Sequence, residues 1–204
     1  TDVITSSRGW DLGSLNLAQA LAMKFRTPLV HCEISRLIID CYLQENNPER
    51  WSEMSHKLSE AQRDKLHERQ LVPHLATLRQ RVSTELERNA SVAHISVHTF
   101  DPADHPDLHV SLLFSEGKVG ESTLALAWLE NIRQALPGMI VKPNEKFYPE
   151  QTKTLLDTFR GEWSSEQYLG LELQVSNQMF LEGTPMRWDK VKAALIDSLQ
   201  KARV

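Results

Sequence analysis

Two segments alternate apolar and polar residues with period two, and they constrain the fold more than anything else in the chain: Val92-Ala93-His94-Ile95-Ser96-Val97-His98-Thr99-Phe100 and Leu169-Gly170-Leu171-Glu172-Leu173-Gln174-Val175-Ser176. Each predicts a strand, because successive side chains of a strand point to opposite faces. In the first, Val92, His94, Ser96 and His98 share one face and Ala93, Ile95, Val97 and Thr99 the other. In the second, Glu172, Gln174 and Ser176 face away from Leu171, Leu173 and Val175.

Helical patterns separate these strands. Trp10, Leu12, Leu15, Leu17, Ala18, Leu21, Ala22 and Phe25 recur near helical spacing, which predicts a helix over 11–24 closed by Pro28. Leu29 to Ile34 reads as a short buried strand, and Leu37 to Cys41 is ambiguous between strand and loop. From Ser59-Glu-Ala-Gln to Arg88, charges of both signs interleave with Leu, which predicts a long, largely solvated helix with a break at Pro73. Further helices are expected over 121–136, 152–160 and 188–202, with strands over 108–114 and 139–142 and a turn at Gly183-Thr184-Pro185. Strands alternating with helices place the chain in the α/β class, as a three-layer α/β/α sandwich with a mixed, mostly parallel sheet.

At 204 residues and 23.3 kDa the expectation is one domain over 1–204, large enough to bury a core without disulfides. A net charge of -4 supplies no basic field for a phosphate backbone, so nucleic acid is not an expected partner and a small molecule is. No apolar run approaches the roughly 20 residues a bilayer span needs. Cys32 and Cys41, with no recognisable leader, suggest reduced thiols and a cytoplasmic setting.

Read in order, the chain resembles the N-formylglutamate amidohydrolase family from about Arg8 to Gln178. The resemblance is carried by Arg8-Gly9-Trp10-Asp11-Leu12-Gly13 opening a helix, Ser35-Arg36-Leu37-Ile38-Ile39-Asp40, His94 to Phe100, Leu112-Leu113-Phe114, and Gly170 to Val175. It implies a fold similar to zinc-dependent exopeptidases and hydrolysis of the amide that joins an acyl group to glutamate. The chain departs from the family pattern at Ser7, where the family has histidine, at Tyr42-Leu43, where it has Asn-Arg, and at Gln174, where it has a second glutamate. Nothing before Arg8 matches the family's opening strand and His-Gly turn.

The resemblance implies a zinc cofactor with His98 among its ligands, the ion lowering the pKa of a bound water. His94 lies roughly 13 Å farther back along the strand, too far to share that ion. Glu172 is the implied general base, and Arg36, with Asp11 and Asp40, the implied substrate-binding set, since guanidinium grips carboxylates bidentately. Structural alternatives stand beside each role: a core hydrogen bond for His98, an arginine ion pair for Glu172, a salt bridge to Asp40 or Asp11 for Arg36, and a helix N-cap for Asp11. His56, His67 and His74 are too scattered to form one site and read as solvated, and the turn around Asp101-Pro102 reads as ordinary.

The leading functional expectation is thus a metal-dependent hydrolase of an N-acylated acidic amino acid. The alternative is a relative that keeps the fold but binds a ligand or partner without turnover, as Ser7, Tyr42, Leu43 and Gln174 would allow.

Overall fold

The computed structural model describes Val3, residues 6–181 and residues 185–203, so the Gly183-Thr184 step of the expected turn lies outside the described residues. The chain divides into two compact units. The first comprises Thr1–Trp10, Val30–Val92 and Tyr148–Tyr168, the second Asp11–Leu29, Ala93–Phe147 and Leu169–Val204.

The second unit is built on a mixed four-stranded sheet in the order β1-β4-β2-β3, from β1 (Val92–Phe100), β2 (Val110–Leu113), β3 (Val141–Pro143) and β4 (Tyr168–Ser176). β2 runs parallel to β3, with Val110 level with Val141, and antiparallel to β4, with Leu113 level with Glu172. At the two ends of the β1–β4 pair, Val92 N–H donates to the Gln167 carbonyl and Asn177 N–H to the Phe100 carbonyl, each at 2.8 Å. Both strands therefore advance in the same direction, with Ser96 level with Glu172 and His98 level with Gln174.

Leu171, Leu173 and Val175 form one apolar face with Val110 and Leu112, and all five are fully buried. That face carries α1 (Ser14–Phe25), α4 (Val119–Ala135) and the C-terminal helix Pro185–Ala202, through Leu17 and Leu21, through Trp128, Leu129 and Ile132, and through Val191, Leu195 and Leu199. Ile95 and Val97 of β1 pack against the same cluster, so the alternation expected for that strand holds. The spacing of the α4 residues at three and four positions is the apolar stripe by which an amphipathic helix faces a core. Polar groups drawn into this core are matched. Trp128 Nε1 donates to the Leu195 carbonyl at 3.0 Å, and the fully buried Glu121 accepts from Ser115 N–H at 2.9 Å and Gly170 N–H at 3.0 Å.

The first unit holds α2 (Glu60–Leu66), α3 (Val72–Leu86) and α5 (Leu155–Glu162). Ser59 caps α2 in the reciprocal arrangement with Gln62 that the sequence suggests. Pro73 does not break the helical run, because it sits in the first turn of α3, where its missing N–H is not needed. The run instead passes through a π-turn at His67–Leu71. It is not merely solvated: Leu71, Leu75, Leu78 and Val82 are buried with Leu155, Leu156, Phe159 and Tyr168. The strand expected over Leu29–Ile34 is absent. Val30, Cys32 and Ile34 still turn towards that cluster while His31 and Glu33 pair at 3.1 Å, so the alternation buries apolar side chains without a strand partner.

Candidate active site

The second face of the sheet is polar. β1 contributes His94, Ser96 and His98, and β4 contributes Glu172, Gln174 and Ser176. The β4 residues are buried to 3%, 3% and 1% exposure, against half-buried neighbours on the edge strand β1.

His98 is held at both ring nitrogens. Its Nδ1 lies 2.7 Å from Asp11 Oδ2 and its Nε2 lies 2.8 Å from Ser96 Oγ, with the His98 and Asp11 side chains 13% and 14% exposed. A carboxylate only accepts hydrogen bonds, so Nδ1 donates to Asp11; in the neutral ring Nε2 then accepts from the Ser96 hydroxyl.

Local backbone features fix Asp11. Its carbonyl, not its carboxylate, accepts from Ser14 N–H at 3.0 Å and Ser14 Oγ at 2.7 Å, so the N-cap alternative for the side chain does not hold. Gly13 then takes φ 91°, and a Cβ there would lie 2.8 Å from the Phe180 ring. Thr99 Oγ1 donates to the Leu12 carbonyl at 3.0 Å, tying the same loop to β1 beside His98.

Glu172 accepts from Gln174 Nε2 at 2.6 Å. Parallel register puts Glu172 level with Ser96 on the neighbouring strand, so the carboxylate and His98 are diagonal neighbours on one face. Gln174 Oε1 and Ser176 Oγ are buried without a hydrogen-bond partner.

Arg36 and Asp40 belong to the first unit. Arg36 N–H and Ser35 Oγ both donate to the Gly9 carbonyl, at 3.2 and 3.1 Å. Asp40 Oδ1 accepts from Tyr42 N–H at 2.9 Å, which shapes the loop. Tyr42 and Leu43, where the family pattern has Asn-Arg, are core residues at 8% and 6% exposure. The buried Arg50, not singled out in the sequence, donates to the Glu45 carbonyl and lies 5.8 Å over the Trp51 ring, and burial lowers its pKa. In the same unit, a hydrogen bond with Cys41 lowers the Cys32 thiol to about 7 and pushes Cys41 up.

A catalytic zinc takes three protein ligands and keeps one position open. Among the described residues no three His, Cys, Asp or Glu side chains are grouped to hold a metal ion, and both ring nitrogens of His98 are engaged. The described donors do not fit that group.

Sequence reading did not single out Ser96 as a partner of His98, although its spacing of two from His98 on a strand places both on one face. It also gave no reason to bring Asp11 to the histidine, because that contact joins residues 87 positions apart.

The chain has the α/β fold of a hydrolase structure. It superposes on an N-formylglutamate amidohydrolase from Ralstonia eutropha JMP134 with a TM-score of 0.69 and 16% identity, over 95% of this chain and 82% of that one. It superposes on gene product Atu2144 from Agrobacterium tumefaciens with a TM-score of 0.79 and 22% identity, over 100% and 80%. No protein-family model and no curated protein matches the sequence. The resemblance drawn from the motifs therefore holds at the level of the fold.

Proposed function

We propose that the protein hydrolyses a linear amide of an N-acyl amino acid, with N-formylglutamate as the first substrate to test, and that His98 is its general base. The observation that carries this reading is the Asp11–His98 pair at 2.7 Å on the polar face of a sheet whose fold is that of an N-formylglutamate amidohydrolase. With Nδ1 directed to Asp11, Nε2 of the neutral ring is the acceptor on the half-exposed side, which is what proton abstraction from an attacking hydroxyl or water requires. Glu172, the base implied by the family resemblance, is 3% exposed and tied to Gln174, so this reading moves the base to His98 and gives Glu172 a supporting charge on the same face. It rests on second-unit residues alone and assigns no step to Arg36 or Asp40.

Zinc dependence is the competing proposal, favoured by the motif resemblance. It needs one nitrogen of His98 to leave its present partner, and metal titration of the purified protein decides it. A non-catalytic binding role is the remaining one.

The test is release of free amine from N-formylglutamate and a panel of N-acyl amino acids, by the wild-type protein and by His98→Asn. Turnover by the wild type that falls by about 10²-fold or more in a folded His98→Asn supports the reading. No turnover of any amide, with or without added zinc, eliminates it.

A further inference from the structure

The first unit carries two thiols that the hydrolase reading leaves unused, Cys32 and Cys41. Both are free, they share a hydrogen bond, and they pack on one apolar cluster with Ile39, Leu71 and Phe159. Their surroundings differ. Cys32 is half-buried and open to a small solute, whereas Cys41 is 5% exposed. The hydrogen bond with Cys41, a backbone hydrogen bond from Ile34 and the nearby His31 hold the Cys32 thiol at about 7, against burial and the Asp40 charge. The same hydrogen bond and burial keep Cys41 protonated. A reachable thiolate beside a protonated thiol is the arrangement of an attacking cysteine and its resolving partner. The contact brings sulfur to sulfur, the approach from which a disulfide of about 2.05 Å closes. Cys32 lies on a stretch that belongs to no strand or helix, so no ladder resists that closing step.

We propose that Cys32 and Cys41 are a site of reversible oxidation by hydrogen peroxide, closing a disulfide around the segment that holds Arg36 and Asp40. The site is independent of the hydrolase reading. The Cys32 sulfur attacks one peroxide oxygen, the O–O bond breaks, and the departing hydroxide leaves as water with the thiol proton, giving a sulfenic acid. The Cys41 sulfur then attacks the Cys32 sulfur, the S–O bond breaks, and the hydroxide leaves as water with the Cys41 proton. Two thiols are oxidised, one peroxide is reduced and two waters form. A dithiol reductant reverses the reaction by exchange, returning both thiols and taking the disulfide itself.

The experiment exposes the reduced protein to a stoichiometric amount of hydrogen peroxide, blocks remaining thiols with iodoacetamide under denaturing conditions, and reads non-reduced digests by mass spectrometry. The expected result is a link between Cys32 and Cys41 within one chain that dithiothreitol removes. Before oxidation, iodoacetamide is expected to modify Cys32 of the native protein about 10-fold or more faster than Cys41. Cys41→Ala is expected to stop at the sulfenic acid, which dimedone captures at Cys32, and Cys32→Ala to leave Cys41 reduced. Circular dichroism checks both folds, and the wild-type linkage is read without either variant, so a variant that fails to fold leaves the test standing. Wild-type protein in which both thiols stay open to iodoacetamide after peroxide overturns the proposal. So does a Cys32 carried on to the sulfinic acid while Cys41 remains reduced, or a link found only between chains. Amide turnover is measured on the reduced protein, so failure here leaves the hydrolase reading intact.

Discussion

On β4, Leu171, Leu173 and Val175 look one way and Glu172, Gln174 and Ser176 the other, and all six are exposed by 3% or less. Equal burial has opposite consequences on the two faces. The apolar side gains on the order of 25 cal/mol for each Å² removed from water. The polar side leaves Gln174 Oε1 and Ser176 Oγ without partners, at a cost of about 1–3 kcal/mol each. Buried polarity need not be costly in this fold, because Glu121 is fully buried and has both carboxylate oxygens matched by backbone N–H groups. Glu121 ties strand and loop backbone together, whereas the Glu172–Gln174 contact joins two side chains of one strand on the polar face.

Breaking the apolar face gives the largest effect on stability. Leu173→Ala removes a fully buried side chain from the middle of the sheet and is expected to lower unfolding free energy by about 2–5 kcal/mol in urea titration. Gln174→Met sharpens the contrast. It removes an amide with an unmatched oxygen at similar volume, so a change of less than about 1.5 kcal/mol is expected. A loss above that would show that the Glu172–Gln174 contact is structural.

The smallest effect comes from the first unit. Burial, with His31 nearby, lowers the pKa of His74, so its neutral form is favoured in the folded chain. Between that lowered value and the unfolded value of about 6.5 the unfolded state binds more protons, so this contribution is complete above about pH 6.5 and is lost as pH falls towards the folded value. Urea titrations at about pH 7.5 and about pH 5.5 are expected to show a smaller acid loss for His74→Gln than for the wild type. Equal losses would contradict that assignment.

The sequence made the sheet legible where its pattern was local. Period-two alternation located β1 and β4 and assigned Ile95 and Val97 to the core and Glu172 to the opposite face. It misled at Leu29–Ile34, because a strand requires a partner and alternation by itself does not supply one. At α3, interleaved charges hid a leucine stripe that is buried. The site was half legible. His98 and Glu172 could be placed on strands, but the contact of His98 with Asp11 depends on how the loop before α1 reaches β1, and Gly13 and Thr99 set that by tertiary geometry. Tyr42 and Leu43 appeared as departures at a substrate grip and are core residues.

Everything assigned to this face depends on which nitrogen of His98 carries the proton. Long-range ¹H–¹⁵N NMR of the labelled protein at neutral pH reads this directly, with Asp11→Asn and Ser96→Ala used to assign the ring. The account requires a protonated Nδ1 and an unprotonated Nε2, with the Nδ1 proton shifted downfield and that shift lost in Asp11→Asn. A ring protonated at Nε2 alone would contradict it.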